Sequence, residues 1–255
     1  MSSLRARCPD CRTFTAVLVD GAYECHKCGR LFSAGLVRVP AAWGVGGDGM
    51  IEGSRAAVPY PEVAIVERDT LDEQSAAIAE ALPARPVVLG GCCCAHVGVA
   101  RGLAARVDRL GVIYIDAHGD LNTPETSPSG NLWGMPFRML LDAGSSRPAD
   151  AALVGARNLD PSEVEFMEAN GIDDSLDRAL AGVCAAYVAL DLDVLDPSEV
   201  DVLIPEPDGA SGDEIEELLR DIASRTTIAG VGITGFLGTE RNTVLVARMI
   251  VAAGF

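Results

Sequence analysis

The stretch VIYIDAHGD, Val112 to Asp120, runs from a continuous apolar segment directly into acidic residues. A second stretch, YVALDLDVLDP from Tyr187 to Pro197, repeats this arrangement. Continuous apolar strands are typical of parallel sheets that are covered on both faces, and such sheets bind ligands at the carboxyl ends of their strands. The two stretches therefore predict an α/β fold with an acidic site at one edge of a parallel sheet.

The chain around these two stretches alternates between short apolar segments and helical patterns, as a parallel sheet requires. Further strands are predicted at residues 62–67, 86–90, 151–155 and 227–233. Helices are predicted at residues 71–82, 96–109, 135–143, 161–170, 212–225 and 239–253. The glycine-rich segment GVGGDG at residues 44–49 is predicted to be a loop, because it lacks the flanking strand and helix of a dinucleotide-binding motif.

The N-terminal segment carries two CxxC pairs, Cys8 with Cys11 and Cys25 with Cys28. The residues between them predict a hairpin that turns at Asp20-Gly21. Two such pairs, brought together by a hairpin, form a tetrahedral thiolate site that suits one structural zinc ion. The pattern resembles the zinc ribbon family, with a rubredoxin-like iron site or two redox motifs as alternatives. We therefore expect a ribbon at residues 1–36 and a second domain at residues 37–255.

The composition limits the class of partner. The 255 residues carry a net charge of −17, which argues against nucleic acid as the main partner. Residues 1–38 differ, with six basic and three acidic side chains. The chain shows neither a signal peptide nor an apolar run long enough to span a membrane, so a cytoplasmic protein is expected. Its eight cysteines then favour ligands, reactive thiols or core residues over disulfides, and Cys184 is expected in the core.

Five potential metal ligands follow the two strands, namely Asp116, His118, Asp120, Asp191 and Asp193. Alternating residues of an extended segment point to one face, so each group is expected to converge. Buried carboxylates are costly unless a cation neutralises them. Five oxygen and imidazole donors exceed what one ion needs and suit two adjacent ions, such as manganese or iron. Capping of turns by the acids is the plainer alternative.

The segments DAHGDLNTPETSPSGNL and ALDLDVLDP resemble the signature segments of the ureohydrolases, the arginase–agmatinase family. The resemblance covers about residue 37 to the C-terminus. It implies a three-layer α/β/α domain with two Mn²⁺ ions (or Fe or Zn) that cleaves guanidinium groups through a metal-bridging hydroxide. It also implies that the five residues above are ligands, that His118 and Asp120 are catalytic, and that Asp120 orients the hydroxide.

The resemblance also directs attention to three consecutive cysteines, Cys92 to Cys94. In the family the corresponding turn reads GGDHS, and Cys93 occupies the position of its histidine ligand. A thiolate is a competent but softer ligand, which would favour zinc or iron. A hydroxyarginine-hydrolysing branch of the family is similar in carrying cysteine here. The alternative is that all three cysteines only fill space. His96 is expected in the following helix and not as a ligand.

The substrate-binding residues implied by the resemblance are Asn122, Ser129, Asn131, Trp133, Asp160 and Glu163. Asp160 and Glu163 also predict a capping box at a helix start. Two departures from the family pattern bear on activity. Trp133 replaces a histidine that could shuttle protons, and its indole could instead stack on a planar or cationic group. Gly235 replaces the glutamate that grips the guanidinium.

Three functions are compatible with these residues. The first is a metal-dependent hydrolase of a guanidino or amidino compound, arginine-like or hydroxyarginine. The second is a catalytically impaired scaffold whose ribbon binds a partner protein or nucleic acid. The third is amide hydrolysis, as in the deacetylases. The family resemblance further implies a homo-oligomer, and no membrane partner is expected.

Overall fold

The computed structural model describes residues 5–6, 8, 10–11, 13–19 and 22–255. These residues form two sheets, one of four strands and one of seven. No helix among the described residues has the length and apolar character that crossing a bilayer requires.

The small sheet lies at the N-terminus and is antiparallel. Its strands are β1 (Arg5–Ala6), β2 (Ala16–Val19), β3 (Ala22–Cys25) and β4 (Leu31–Phe32). Tyr23 stacks on Phe32 with ring centroids 5.3 Å apart, inside a small core that includes Cys8 and Cys25. The pairing of β2 with β3 confirms the predicted hairpin, whose expected turn at Asp20-Gly21 lies outside the described residues.

The large sheet is parallel throughout, with the strand order β6-β5-β7-β11-β10-β8-β9. Its strands are β5 (Ala34–Val39), β6 (Glu62–Ile65), β7 (Arg85–Gly90), β8 (Leu110–Ile115), β9 (Ala151–Val154), β10 (Ala185–Asp191) and β11 (Ile228–Thr234). The predicted α/β fold with a parallel sheet is confirmed. The expected domain boundary after residue 36 falls inside β5, a strand that the sequence analysis did not identify.

Eight α-helices connect or cover these strands in the described part of the chain. They are α1 (Asp48–Gly53), α2 (Leu71–Ala81), α3 (Ala95–Ala104), α4 (Pro136–Asp142), α5 (Pro161–Asn170), α6 (Leu176–Ala179), α7 (Gly212–Arg225) and α8 (Glu240–Ala252). The six predicted helices are present, and α3 ends five residues early. The predicted loop at residues 44–49 is correct only up to Gly47, because α1 begins at Asp48.

Helices cover both faces of the large sheet and create two apolar cores. Val188 and Leu190 of β10 pack into the core beneath α7 and α8, while Tyr187 and Ala189 pack into the core beneath α2, α3 and α4. The alternation follows from the two-residue period of a strand. Because both faces are covered, every residue of β10 is buried, and this explains its continuous apolar sequence.

The expectation for Cys184 is wrong, because this cysteine is exposed. It lies immediately before β10, at the amino end of the strand, where the chain enters the sheet from the surface. Its backbone N–H donates to the carbonyl of Arg109. The opposite, carboxyl ends of β7, β8, β10 and β11 are neighbours in the sheet, and their connections carry the candidate site residues.

Candidate metal centre and substrate pocket

A cavity of about 300 Å³ opens at the carboxyl edge of the large sheet. The predicted ligands and substrate-binding residues all line it, together with Gly235. Cavities at this edge are the usual binding sites of open parallel α/β sheets. The structure therefore brings the sequence-predicted residues of the second domain into one place.

The first cluster of metal-ligating atoms comprises Cys93, Asp116 and Asp120, whose donor atoms lie within 4.8 Å of one another. The Cys93 thiol donates to Oδ2 of Asp191 over 2.7 Å and lies 3.9 Å from Oδ2 of Asp116. Asp191 therefore adjoins this cluster through the sulfur atom. All four side chains are buried.

A second cluster comprises Asp116, His118 and Asp193. His118 Nδ1 lies 3.0 Å from Oδ2 of Asp193 and 3.5 Å from Oδ1 of Asp116. Asp116 belongs to both clusters, so its carboxylate separates two adjacent groups of donors. Carboxylate, imidazole and thiolate are the ligand types that divalent manganese, iron and zinc take. The donor chemistry therefore fits a pair of divalent cations.

Asp191 ends strand β10, but the other acids lie in the connections beyond the strands, so loop geometry brings most of the acids together. Strand β8 ends at Ile115, and Asp120 adopts a left-handed backbone with φ of +51°. Tyr114 donates a 2.5 Å hydrogen bond to Oδ2 of Asp120. Asp193 lies in a 3₁₀ turn, where its carboxylate accepts the N–H of Ala117. The predicted convergence is present, although the predicted extended geometry is not.

Burial and mutual proximity shift the pKa values of the residues in this acidic cluster. Burial raises the pKa of Asp116 and Asp120 well above the ordinary value, and nearby carboxylates raise the pKa of Asp116 further. Burial also raises the pKa of Asp191 to about 7 and that of the Cys93 thiol well above its usual range. Burial alone would lower the pKa of His118, but contacts with Asp116 and Asp193 raise it to about 12. A cation in this site would relieve the repulsion among the carboxylates.

Glu206 is a functional candidate that sequence reasoning missed. Its Oε1 lies 3.2 Å from Nε2 of His118 and accepts a 2.8 Å hydrogen bond from Nδ2 of Asn158. A carboxylate that accepts the outer N–H of a histidine ligand fixes which ring nitrogen faces the metal. Glu206 lies in an irregular loop after β10, so no strand-end pattern marked it.

Arg157 holds the loops that carry Asp193 and Glu206. Its guanidinium donates hydrogen bonds to five backbone carbonyls, those of Gly155, Asp193, Val194, Glu206 and Pro207. Arginine presents several donors in a rigid fork, so one side chain can satisfy loops that are far apart in sequence. Arg157 thereby ties a ligand loop to the loop of Glu206.

The predicted substrate-binding residues form the mouth of the cavity. Asn122 donates from Nδ2 to Oδ2 of Asp160 over 2.8 Å, and Asn131 accepts the N–H of Val45. The Ser129 hydroxyl oxygen accepts the N–H of Asn131. The loop in front of α4 is thus bonded to the start of α5 through Asn122 and to the glycine-rich segment through Asn131.

Glu163 was predicted both to bind substrate and to cap a helix, and the structure shows the capping contact. Its carboxylate accepts the N–H groups of Asp160 and Leu121, each over 2.9 Å, and the residue is 3% exposed. The bond from Asp160 is the glutamate part of the predicted capping box. Both oxygens are thus engaged by the backbone.

Trp133 lies over the glycine-rich segment. A Cβ built on Gly44 would overlap the indole, so a glycine is required where the ring packs. The ring belongs to an apolar cluster with Met50, Cys92 and Cys94. The backbone N–H of Trp43 donates to the sulfur of Cys92. Two of the three consecutive cysteines therefore pack into this wall, whereas Cys93 contacts the carboxylates.

Gly235 lies in the cavity with φ of +76°. A Cβ at this position would overlap the carboxylate of Asp191. The backbone conformation and the close approach of Asp191 both exclude a side chain. No acid can therefore project from this strand end without rearranging Asp191.

The four N-terminal cysteines also converge. Their sulfur atoms lie within 4.8 Å of one another, with 3.5 Å between Cys8 and Cys28 and 3.5 Å between Cys11 and Cys25. Burial raises the pKa of Cys8 to about 12, whereas the hydroxyl of Thr15 lowers that of Cys25 to about 5. Four convergent sulfurs suit a tetrahedral metal ion.

Comparisons with known proteins agree with this geometry. Residues 56–253 match the arginase family. The arginase of Bacillus subtilis (strain 168) is 34% identical over 191 residues, which cover 62% of this chain and 64% of that protein. The arginase of Bacillus caldovelox is 35% identical over 143 residues, which cover 45% of this chain and 48% of that protein. The chain thus spans about half to two thirds of the length of these relatives.

A solved structure with the same fold is the arginase from Bacillus subtilis, with a TM-score of 0.76 and 23% identity. The superposition covers 86% of this chain and 97% of that one. The match to the family covers most of this chain, and the two adjacent donor clusters agree with it. The chain therefore belongs to the arginase family.

Proposed function

We propose that the chain is a dinuclear metal hydrolase that cleaves a C–N bond of a guanidino or amidino compound. The observation that carries this proposal is the position of Asp116, which belongs to two adjacent clusters of donor atoms. The family match supports the reaction class.

The proposed ligands divide between the two clusters. Cys93, Asp120 and Asp191 would hold one ion, His118 and Asp193 the other, and Asp116 would serve both. Two bound cations would supply the Lewis acidity that activates a water molecule at neutral pH. Tyr114 restrains one oxygen of Asp120, and we assign the other oxygen to orienting that water.

The two ion positions differ in their chemistry. The cluster around His118 offers only oxygen and imidazole, which suits manganese, whereas Cys93 adds a soft sulfur that favours zinc or iron. We therefore propose that metal identity differs between the two positions or shifts from manganese toward zinc or iron at the cysteine side.

The cavity favours a cationic or neutral substrate. No lysine or arginine lines it in the described part of the chain, and its mouth presents Asn122, Ser129, Asn131 and Asp160. These residues would hold the polar end of an amino-acid-like compound, with Glu163 supporting Asp160. The indole of Trp133 would pack against a planar group near the scissile bond.

The N-terminal cysteines are proposed to bind one structural zinc ion. A segment with so small a core needs metal binding to supply folding free energy. Phe32 of this segment contacts Tyr60 edge-to-face at 6.4 Å, and Arg30 donates to the carbonyl of Phe255. The zinc would therefore stabilise the contact of the small sheet with Tyr60 and of Arg30 with the C-terminal residue Phe255.

A second candidate is a metal-binding scaffold without hydrolytic activity. The exclusion of a side chain at Gly235 favours it, because no acid there can pair with a guanidinium. In this case the ribbon would serve to bind a partner.

The test is urea release by the manganese-loaded protein from arginine, hydroxyarginine, agmatine and guanidino acids. We expect release from at least one compound and its loss in Asp193→Asn. The matched control is Asp213→Asn, which removes an exposed acid that pairs with Arg248. Metal-loaded protein that releases urea from none of these compounds, and neither formamide nor ammonia from a formimidoyl compound, would contradict the proposed hydrolase and favour the scaffold.

A further inference from the structure

Three buried polar side chains continue from Cys93 into the core of the protein. The hydroxyl of Thr234 lies 3.2 Å from the sulfur of Cys93, and Nε2 of His96 lies 3.0 Å from that hydroxyl. Nδ1 of His96 lies 2.6 Å from the hydroxyl of Tyr187. Strands β11 and β10 and helix α3 each contribute one of the three residues.

None of the three lines the cavity, and all are almost fully buried, with His96 1% exposed and Thr234 and Tyr187 0%. Burying polar groups costs free energy unless each finds a partner. The backbone also makes room for them. A Cβ on Gly232 would overlap the hydroxyl of Tyr187 and lie 2.8 Å from Nδ1 of His96. The absence of a side chain at Gly232 therefore leaves room for the hydrogen bond between Tyr187 and His96 inside an otherwise apolar core.

The protonation state of Cys93 sets the direction of the hydrogen bonds among these residues. A metal-bound thiolate carries no proton and can only accept. The acceptors within reach of the single Thr234 proton are the sulfur of Cys93 and Oδ2 of Asp191, each 3.2 Å away, and the carbonyl of Leu190 at 3.5 Å. We assign the proton to Cys93, because a metal-bound thiolate accepts the stronger hydrogen bond. The Thr234 oxygen in turn accepts the Nε2–H of His96, and Nδ1 of His96 accepts the hydroxyl proton of Tyr187.

A neutral imidazole is required for this sequence of donors, because only one of its nitrogens may carry a proton. His96 is 1% exposed, and both of its ring nitrogens lie beside hydroxyl oxygens and not beside carboxylates, so the surroundings favour an uncharged ring. In the tautomer with the proton on Nε2, the Tyr187 hydroxyl donates to Nδ1 of His96, and Nε2–H of His96 donates to the Thr234 hydroxyl. The Thr234 hydroxyl can then donate to the sulfur of Cys93.

We propose that Tyr187, His96 and Thr234 form a donor relay that positions the Cys93 sulfur as a metal ligand. The proposal rests on the metal centre proposed above and assigns positioning roles to three residues outside it. Hydrogen bonds from such outer residues orient ligands and tune their donor strength. The relay would compensate for the small size of cysteine by fixing its rotamer and dispersing thiolate charge.

Cobalt(II) binding tests the relay without measuring activity. A cysteine thiolate bound to cobalt gives a charge-transfer absorption band in the near ultraviolet. The four N-terminal cysteines are first loaded with one equivalent of zinc per chain, and every spectrum is taken as the difference from Cys93→Ala, so that their sulfurs cancel. We expect Thr234→Val to weaken cobalt binding about 10- to 100-fold and to shift the band. Thr234→Ser, which keeps the hydroxyl, should retain both.

The matched control is Ser146→Ala, which removes a buried hydroxyl that donates to the carbonyl of Leu110, away from the cavity. It should bind cobalt as the parent protein does. If Thr234→Val fails to fold, Tyr187→Phe replaces it and should give a smaller shift of the same band.

Wild-type cobalt affinity and an unmoved band in Thr234→Val, or in Tyr187→Phe where that variant stands in, would overturn the relay. The metal centre would then stand without it. If Cys93→Ala itself binds cobalt with the affinity and spectrum of the parent, Cys93 is not a ligand, and both the relay and this part of the proposed centre fail. The two failures are therefore distinguishable.

Discussion

The sulfur of Cys93 lies 2.7 Å from Oδ2 of Asp191, although 98 positions separate the two residues in the chain. The contact joins the loop after β7 to the end of β10, across the intervening strand β11. A cysteine that only filled space would pack against apolar atoms, as Cys92 and Cys94 do. Cys93 instead adjoins three carboxylates, as its proposed role as a ligand requires.

Replacement of Cys93 tests its assignment as a ligand. We expect Cys93→His to retain metal content, because imidazole can replace the thiolate, and Cys93→Ala to lower it. The measurement is metal content per chain after dialysis against a defined metal buffer. Cys94→Ala, which removes a buried thiol from the apolar wall, is the matched control and should retain its metal. Unchanged metal content in Cys93→Ala would exclude the assignment.

Removal of Glu206 tests the orientation of His118. In Glu206→Ala the outer nitrogen of His118 loses its acceptor, and we expect metal affinity to fall about 10- to 100-fold. The affinity is measured by titration with manganese. Glu206→Gln keeps an oxygen acceptor and should lose less. Equal affinity in the alanine variant and the parent protein would mean that Glu206 does not orient the histidine.

A side chain at Gly235 should damage both stability and metal binding. Gly235→Ala combines a left-handed backbone, which costs about 1–2 kcal/mol for a residue with a Cβ, with a collision at Asp191. Gly144→Ala is the control, because Gly144 has φ of +70° and open space around its Cβ position. We expect both variants to lose unfolding free energy in urea but only Gly235→Ala to lose metal. Normal metal content in Gly235→Ala would contradict this geometry.

Asp150 should make stability depend on acid pH. This carboxylate is 1% exposed and pairs with Arg109 and Arg147, each of which donates from Nε. Burial alone would raise the pKa of Asp150, but the two guanidinium groups bring it below its ordinary value. The folded state therefore binds this proton less readily than the unfolded state. The stability contributed by Asp150 is complete above the unfolded pKa of about 3.9 and is lost as the pH falls through the folded value.

Asp150→Asn should accordingly lower the free energy of unfolding by about 2 kcal/mol at pH 7, because hydrogen bonds to a charged group are lost. The difference from the parent protein should shrink below about pH 4, because the unfolded parent then binds a proton at Asp150 that the folded parent binds less readily. Urea denaturation at several pH values measures it. Asp142→Asn, at an exposed ion pair with Arg138, should change little. A difference that is constant from pH 7 to pH 3 would refute the assignment.

The parts of the structure that are local in sequence could be predicted. Apolar runs such as Val112–Ile115 marked the central strands, and the acids directly after them marked the site. Strand β5 was missed because Ala34–Val39 follows the small N-terminal sheet without a turn signal. Cys184 was misplaced because its apolar neighbours suggested burial, whereas exposure depends on which end of β10 it precedes.

The parts that depend on distant contacts could not be predicted. Glu206 contacts His118 in a loop whose backbone accepts a hydrogen bond from Arg157, and no periodicity in the sequence encodes either contact. His96 was correctly expected in a helix, yet its contacts with Tyr187 and Thr234 arise from the packing of α3 on the sheet. The collision at Gly235 likewise required the position of Asp191.

The most direct test of the central claim is the metal stoichiometry of Asp116→Asn. Because Asp116 belongs to both donor clusters, its replacement should weaken both ion positions together. The protein, zinc-saturated at the ribbon and loaded with manganese, should contain two further ions per chain, and the variant should lose both while keeping the ribbon zinc. A variant that retains both further ions would contradict the account.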